Sequence, residues 1–230
     1  RDLVRSRGLG DVYKRQLIFR LKKDENTLKQ AIDIFNKIDL TDSGILEDWV
    51  SYLDAIINLY MATGNRDLLD RAQKVYKKIE ETFLDKDRNL FFDTIDKSLP
   101  FRYALKETSK ISECLIKLYK LTDKKLYLDM AYGFLTEIAK PAIDKGVDGL
   151  VITLPLILSL FGPIDIRVFG ERRDIVDVAL SFITPITTIS YLEGSESYAQ
   201  VCFSNKCFEP AYSPDILRDH IVSVLISGAF

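Results

Sequence analysis

Glu47 and Asp48 are the acidic pair best placed for acid/base chemistry, because they sit beside Trp49 and Tyr52 where a helix is expected to begin. Two carboxylates flanking a sugar can serve as general acid and base or nucleophile, roughly 5–5.5 Å apart for retention and 6.5–9.5 Å for inversion. Helix neighbours point about 100° apart, so these two do not readily form such a pair alone, and Asp93 or Asp54 is the expected partner. The catalytic candidates are Glu47, Asp48 and Asp93. Trp49, Tyr52 and Arg102 are the candidate ligand contacts: aromatic faces stack on sugar rings, and Arg102 and Asp93 bracket a long loop. Each has a structural alternative. Acids at a helix start favour its dipole by about 0.3–1 kcal/mol, a buried aromatic contributes about 2–3 kcal/mol to packing, and a solvated loop holds local ion pairs.

Cys202 and Cys207 enclose Phe-Ser-Asn-Lys in an expected hairpin, which admits either a cross-strand disulfide or free thiols; Cys114 falls on a helical stripe. A lone C-x4-C lacks the two further ligands of structural zinc, so no metal site is expected. There is no C-x-x-C, no Gly-rich phosphate loop and no G-x-S-x-G turn, and no cofactor is expected. The single histidine, His220, lies on the final helix and reads as a surface or packing residue.

The elements that must position these residues begin with Leu46 to Phe83. Trp49, Leu53, Ile56, Ile57 and Tyr60 form one apolar helical stripe, and Leu69, Ala72, Val75, Tyr76, Ile79 and Phe83 form another. Thr63-Gly64-Asn65 turns the chain between them, giving antiparallel helices. The phrase returns between Ile111 and Pro141, where Leu118, Tyr119, Thr122, Leu128, Asp129 and Ala131 repeat Leu59, Tyr60, Thr63, Leu69, Asp70 and Ala72 at an offset of 59 residues. Leu28 and Ala31 echo Leu69 and Ala72 upstream. Hairpins that leave an apolar face uncovered must stack, as an open solenoid or a closed α/α toroid. Ser43 or Asp42 is expected to cap the central hairpin, and Leu90–Phe92 to be extended within the loop after it.

From Gly162 the period changes. Strands are expected at 164–169, 186–191, 198–203 and around Cys207, with helices over 172–183 and from Pro214. The expected organisation is a helical body over 17–161 and a small α/β unit over 162–230.

Residues 1–16, RDLVRSRGLGDVYKRQ, carry five basic and two acidic residues. They resemble translated adapter sequence, or else form a basic disordered arm, and on both readings they are expected to stay outside the fold, with the natural protein beginning further upstream. Removing them moves the net charge from −2 to −5. That balance, without a Lys/Arg cluster, argues against a nucleic-acid partner. The longest apolar run, 149–161, contains Pro155 and is too short to cross a bilayer, so it reads as a buried helix and no membrane partner is expected. No secretory signal is visible, and the expected location is cytoplasmic.

LEDW at 46–49, TGN at 63–65, FFDT at 91–94, GPIDIRVFG at 162–170 and YAQVCFSNKC at 198–207 together resemble the C-terminal two-thirds of the thioredoxin-domain-containing family that includes spermatogenesis-associated protein 20. The resemblance implies a mainly α fold: part of an (α/α)6 toroid similar to six-hairpin glycosidases and N-acylglucosamine epimerases, followed by a small α/β unit. It also implies a thioredoxin-like domain upstream. The implied ligand is a carbohydrate or other small polar molecule; the alternative is a non-catalytic scaffold with a protein partner. Where relatives have Pro-Ser-Gly-Asn opening the second hairpin, this chain has Lys106-Glu-Thr-Ser-Lys110, which alters any site there. The epimerase relatives move protons with histidines, a pair that His220 alone cannot supply.

Overall fold

The structure, a computed structural model, describes residues 9–12, 14–16, 18–19, 24–40, 43–96 and 103–227. It is mainly helical, with two complete long hairpins among the described residues and a small α/β unit after them. Helix α1 is Glu25–Asn36, α2 Leu46–Thr63, α3 Arg66–Phe83, α4 Leu105–Thr122 and α5 Lys125–Asp144. A 3-10 turn, Gly146–Ile152, leads into α6, Thr153–Phe161.

The 59-residue offset holds at the helix boundaries. Both α2 and α4 are 18 residues long, and each ends on a left-handed residue, Gly64 at φ 69° and Asp123 at φ 59°. Thr63 Oγ1 donates to the Leu59 carbonyl at 2.8 Å, and its counterpart Thr122 to Leu118 at 2.6 Å. The second hairpin starts earlier than Ile111 and runs past Pro141, which sits inside the last turns of α5. α2 and α4 are buried on most of their circumference, as expected of helices packed on several sides. α3 is amphipathic, burying Ala72, Val75, Tyr76, Ile79 and Phe83.

Three expectations are corrected. Neither Ser43 nor Asp42 is the N-cap of α2: the cap position is Ile45, without a side-chain bond, and Asp42 lies outside the described residues. Ile45 instead forms an antiparallel bridge with Thr94, and the Leu46 amide donates to the Asp93 carbonyl at 2.9 Å. Run 149–161 is only half covered: Leu150, Leu160 and Phe161 are exposed, because α4 and α5 pack on one side of α6. Finally, residues 9–12 and 14–16 are helical, with Leu9 and Val12 in the core and Gln16 buried. Leu9, Val12, Gln16 and Phe19 recur at helical spacing, a period that the basic residues between them obscure.

The loop after α3 carries the two-residue strands β1 (Leu84–Asp85) and β2 (Leu90–Phe91), paired antiparallel. The α/β unit has β3 (Ile164–Phe169), helix α7 (Arg173–Ser181), β4 (Thr187–Leu192), β5 (Tyr198–Phe203), β6 (Lys206–Cys207) and α8 (Pro214–Ser227). Sheet order is β4-β3-β5-β6: β3 and β4 are parallel, joined through α7, and the remaining pairs are antiparallel. Tyr191 ties sheet to body, donating to the Met61 carbonyl at 2.9 Å and meeting Tyr60 edge-on. Apolar burial is continuous from α2–α5 into the sheet. Among the described residues, no helix is long and apolar enough to cross a membrane.

Candidate functional site

Two polar stripes face each other along α2 and α4. On α2 the stripe is Glu47, Ser51, Asp54 and Asn58; on α4 it is Lys106, Lys110, Glu113 and Lys117, with the same spacing of four, three and four. That spacing holds residues on one helical face, and the apolar residues elsewhere on both helices leave this face as their polar side.

Charge pairs stitch the stripes together. Lys106 Nζ lies 2.9 Å from Glu47 Oε1, and Lys110 Nζ 3.1 Å from Asp54 Oδ1 and 3.0 Å from Glu113 Oε1. Lys117 Nζ approaches Glu113 Oε1 to 2.6 Å, with side-chain exposures of only 3% and 5%. Burial alone pushes the Lys110 ammonium down, but the charges of Asp54 and Glu113 outweigh it and hold the group above the usual lysine range. The hydrogen bond with Glu47 likewise raises Lys106, against a smaller desolvation effect. Burial pushes the neighbouring Cys114 thiol up, so it stays protonated and inert.

Glu47, Asp48, Ser51, Asp54 and Lys110 line a cleft of about 390 Å³, with Gln16 on its other wall. A second cleft, about 690 Å³, adjoins it across Glu47 and brings in Asp93, Lys106, Lys145 and Asp148. Glu47 therefore belongs to both openings. Its side chain is 61% exposed, whereas Asp48 is buried and accepts a hydrogen bond from Ser43 Oγ at 2.7 Å. The two adjacent acids thus have different environments, as their directions on the helix require. Asp93 reaches the second cleft because the Ile45–Thr94 bridge holds its loop against the start of α2.

The aromatic candidates lie elsewhere. Trp49 is half-buried and donates from Nε1 to the Ser43 carbonyl at 3.0 Å. Tyr52 is buried, stacks on Phe35 at 4.6 Å and accepts a hydrogen bond from Arg71, whose guanidinium covers both rings. Burial raises the Tyr52 hydroxyl, with Arg71 opposing. Neither ring lines either cleft, so their contribution in this structure is to packing. Arg102 lies outside the described residues. His220 stacks on Phe208 at 4.5 Å, a packing role. Cys202 and Cys207 are joined, Sγ to Sγ, at 2.02 Å. Among the described residues, no cluster of three His, Cys, Asp or Glu side chains could hold a metal ion.

The α4 lysines and Glu113 were not among the sequence candidates. Their signal was available: K-x3-K-x2-E-x3-K interrupts an otherwise apolar helix, and polar residues on one face of a helix buried elsewhere mark a polar interface.

No family model and no curated protein matches the sequence. Among solved structures, a glycoside hydrolase family 76 (mannosidase) protein, Bt3792 from Bacteroides thetaiotaomicron VPI-5482, is similar at a TM-score of 0.49 and 20% identity, over 57% of this chain and 43% of that one. A family 76 glycoside hydrolase from a bovine Bacteroides thetaiotaomicron strain is similar at 0.48 and 16% identity, over 57% of this chain and 34% of that one. The matched region thus spans less than half the length of either protein.

Proposed function

We propose that this chain is the barrel-and-α/β portion of a protein of the thioredoxin-domain-containing family, and that the cleft between α2 and α4 binds a carbohydrate. The observation that supports this reading is the gathering of Glu47, Asp48 and Asp54 around one opening with Ser51 and Lys110. Carboxylates accept hydrogen bonds from ligand hydroxyls, and the lysine ammonium donates to ring or glycosidic oxygens. Glu47 and Asp54 are seven residues apart, so their backbones are separated by about 10.5 Å of helix rise. That rise is well beyond the roughly 5–5.5 Å carboxylate separation of a retaining hydrolysis. Glu47 is the solvent-facing acid and Asp54 the shielded one, while Asp93 meets ligand parts that extend past Glu47. A helical body ending at 161, an α/β unit over 162–230 and a cytoplasmic location belong to the same reading.

The test uses the sole tryptophan, Trp49, whose half-buried indole lies on the helix that carries Glu47. Its fluorescence and the protein NMR spectrum are followed while neutral mono- and oligosaccharides are added. Saturable binding that weakens at least about tenfold in Glu47→Gln and Asp54→Asn, the loss of roughly one charged hydrogen bond, supports the reading. Binding by no sugar, or binding indifferent to both substitutions, refutes it.

A second reading is favoured by the lysine partners and by one exposed surface. Lys106 and Lys110 stand in the segment where relatives carry Pro-Ser-Gly-Asn, and they occupy Glu47 and Asp54. Ile143, Val147, Leu150, Leu160 and Phe161 form an exposed apolar stretch of the kind found at protein interfaces. On this reading the chain is a non-catalytic helical scaffold. Lys106→Ala separates the two: sugar affinity gained by freeing Glu47 favours the cleft, and no change favours the scaffold.

A further inference from the structure

We propose that the Cys202–Cys207 bond is a thiol–disulfide exchange site, opened at Cys207 by an external dithiol. The two sulfurs are unequal. Cys202 is buried at 6% exposure in the sheet, whereas Cys207 is exposed on the edge strand β6. Exchange requires access to a disulfide sulfur, and Cys207 is the more exposed of the two residues. In the sheet register Thr188, Asp165, Cys202 and Cys207 form one row across all four strands. Asp165 is 1% exposed and held by Thr188 Oγ1 at 3.1 Å and Arg167 Nε at 2.8 Å. Directly opposed residues have Cβ atoms about 4.5–5.5 Å apart, so a carboxylate stands beside the inner sulfur and disfavours its thiolate.

The step balances as follows. One thiolate of the dithiol attacks Cys207 Sγ, the Cys202–Cys207 bond breaks, and its electron pair leaves on Cys202 Sγ, which takes a proton. The second thiolate attacks the dithiol's own sulfur in the mixed disulfide, closing the partner's disulfide and releasing Cys207 as a thiolate that is protonated from water. Two electrons pass from the dithiol to the cystine.

Opening releases the short turn between β5 and β6, which the Phe203–Lys206 pairing and the Phe208 amide bond to the Val201 carbonyl flank. β6 is two residues long, and Ser204 and Asn205 at the turn both have positive φ, 48° and 66°. For Ser204, an L-residue with a side chain, this left-handed geometry is disfavoured. The same two residues wall a cleft of about 150 Å³ against Lys120, Tyr132 and Phe161 of the helical body. Reduction therefore loosens a contact between the α/β unit and the helices.

The test treats the folded 230-residue protein with dithiothreitol at millimolar concentration, alkylates with time and digests with trypsin. Cleavage after Lys206 puts Cys202 and Cys207 on separate peptides, and Cys114, buried at 0% exposure, is the internal reference for global unfolding. Linked peptides before reduction, labelling of both cysteines at least about tenfold faster than Cys114, and increased hydrogen exchange confined to 203–208 support the proposal. Asp165→Asn is expected to speed reduction severalfold; an unchanged rate overturns Cys202 as the leaving sulfur. Peptides that are unlinked in untreated protein prepared under air, or a bond that opens only together with Cys114, overturn the exchange site itself.

Discussion

Replacing Glu113 with Leu should destabilise the fold far more than replacing its partner Lys117 with Met. The asymmetry comes from the partners each substitution leaves behind. Glu113 is the ion-pair partner of Lys117, whose side chain is 3% exposed, so its loss strands a buried ammonium. Breaking a buried pair in this way costs about 3–5 kcal/mol. Loss of Lys117 leaves Glu113 still bonded to Lys110 at 3.0 Å, so only one charged hydrogen bond disappears, worth about 1.5–3 kcal/mol. At roughly 2–4 °C per kcal/mol for a chain of this size, Glu113→Leu lowers Tm by about 6–20 °C. The double variant, with Leu and Met filling the space, should recover most of the loss, since apolar replacement of a whole buried pair is often neutral or stabilising. Urea denaturation of the four proteins, with matched m-values, measures the cycle. Equal costs for the two single variants, or a double variant no better than Glu113→Leu, would show that Lys117 is not held as described.

The Lys110 ammonium is raised by Asp54 and Glu113, so its contribution to stability is complete below the unfolded lysine value of about 10.4 and is lost as pH rises from there through the folded value. Urea midpoints across the alkaline range should fall less steeply in Lys110→Met than in the parent. Gly64→Ala should cost about 1–2 kcal/mol from its left-handed backbone alone. Contact of the new Cβ with the Tyr191 ring, 3.1 Å from Cγ, should add to that cost and broaden the Tyr191 NMR signals.

The hairpins were readable because their turns and apolar stripes are local. Thr63-Gly64-Asn65 announces a left-handed cap, and the 59-residue offset locates its copy although Asp123 replaces Gly64. The sheet strands were readable for the same reason. The site was less so. Glu47, Asp48 and Asp54 were visible as acids near a helix start, but their partners come from a helix 59 residues away, and no local rule pairs Lys106 with Glu47. Tyr52 was ambiguous because an aromatic at a helix start packs or stacks equally well in one dimension; Phe35 and Arg71 decide it. Asp93 reaches its cleft only through the Ile45–Thr94 bridge, a contact invisible to periodicity. The half-covered 149–161 run shows that apolar composition alone does not report which side finds a neighbour.

The shared register of the two hairpins bears on how such a chain can lengthen. Copying a hairpin and laying it beside its parent brings equivalent positions together, so every charge meets its own likeness. Glu47 and Lys106 are equivalent positions, and they relieve that conflict by opposite sign at 2.9 Å. Asp54 and Glu113 are also equivalent and have kept the same sign; Lys110 stands between them, at 3.1 Å from one and 3.0 Å from the other. Divergence along this seam is therefore constrained by charge neutrality before any ligand is considered, and a third copy would need the same compensation at its own edge.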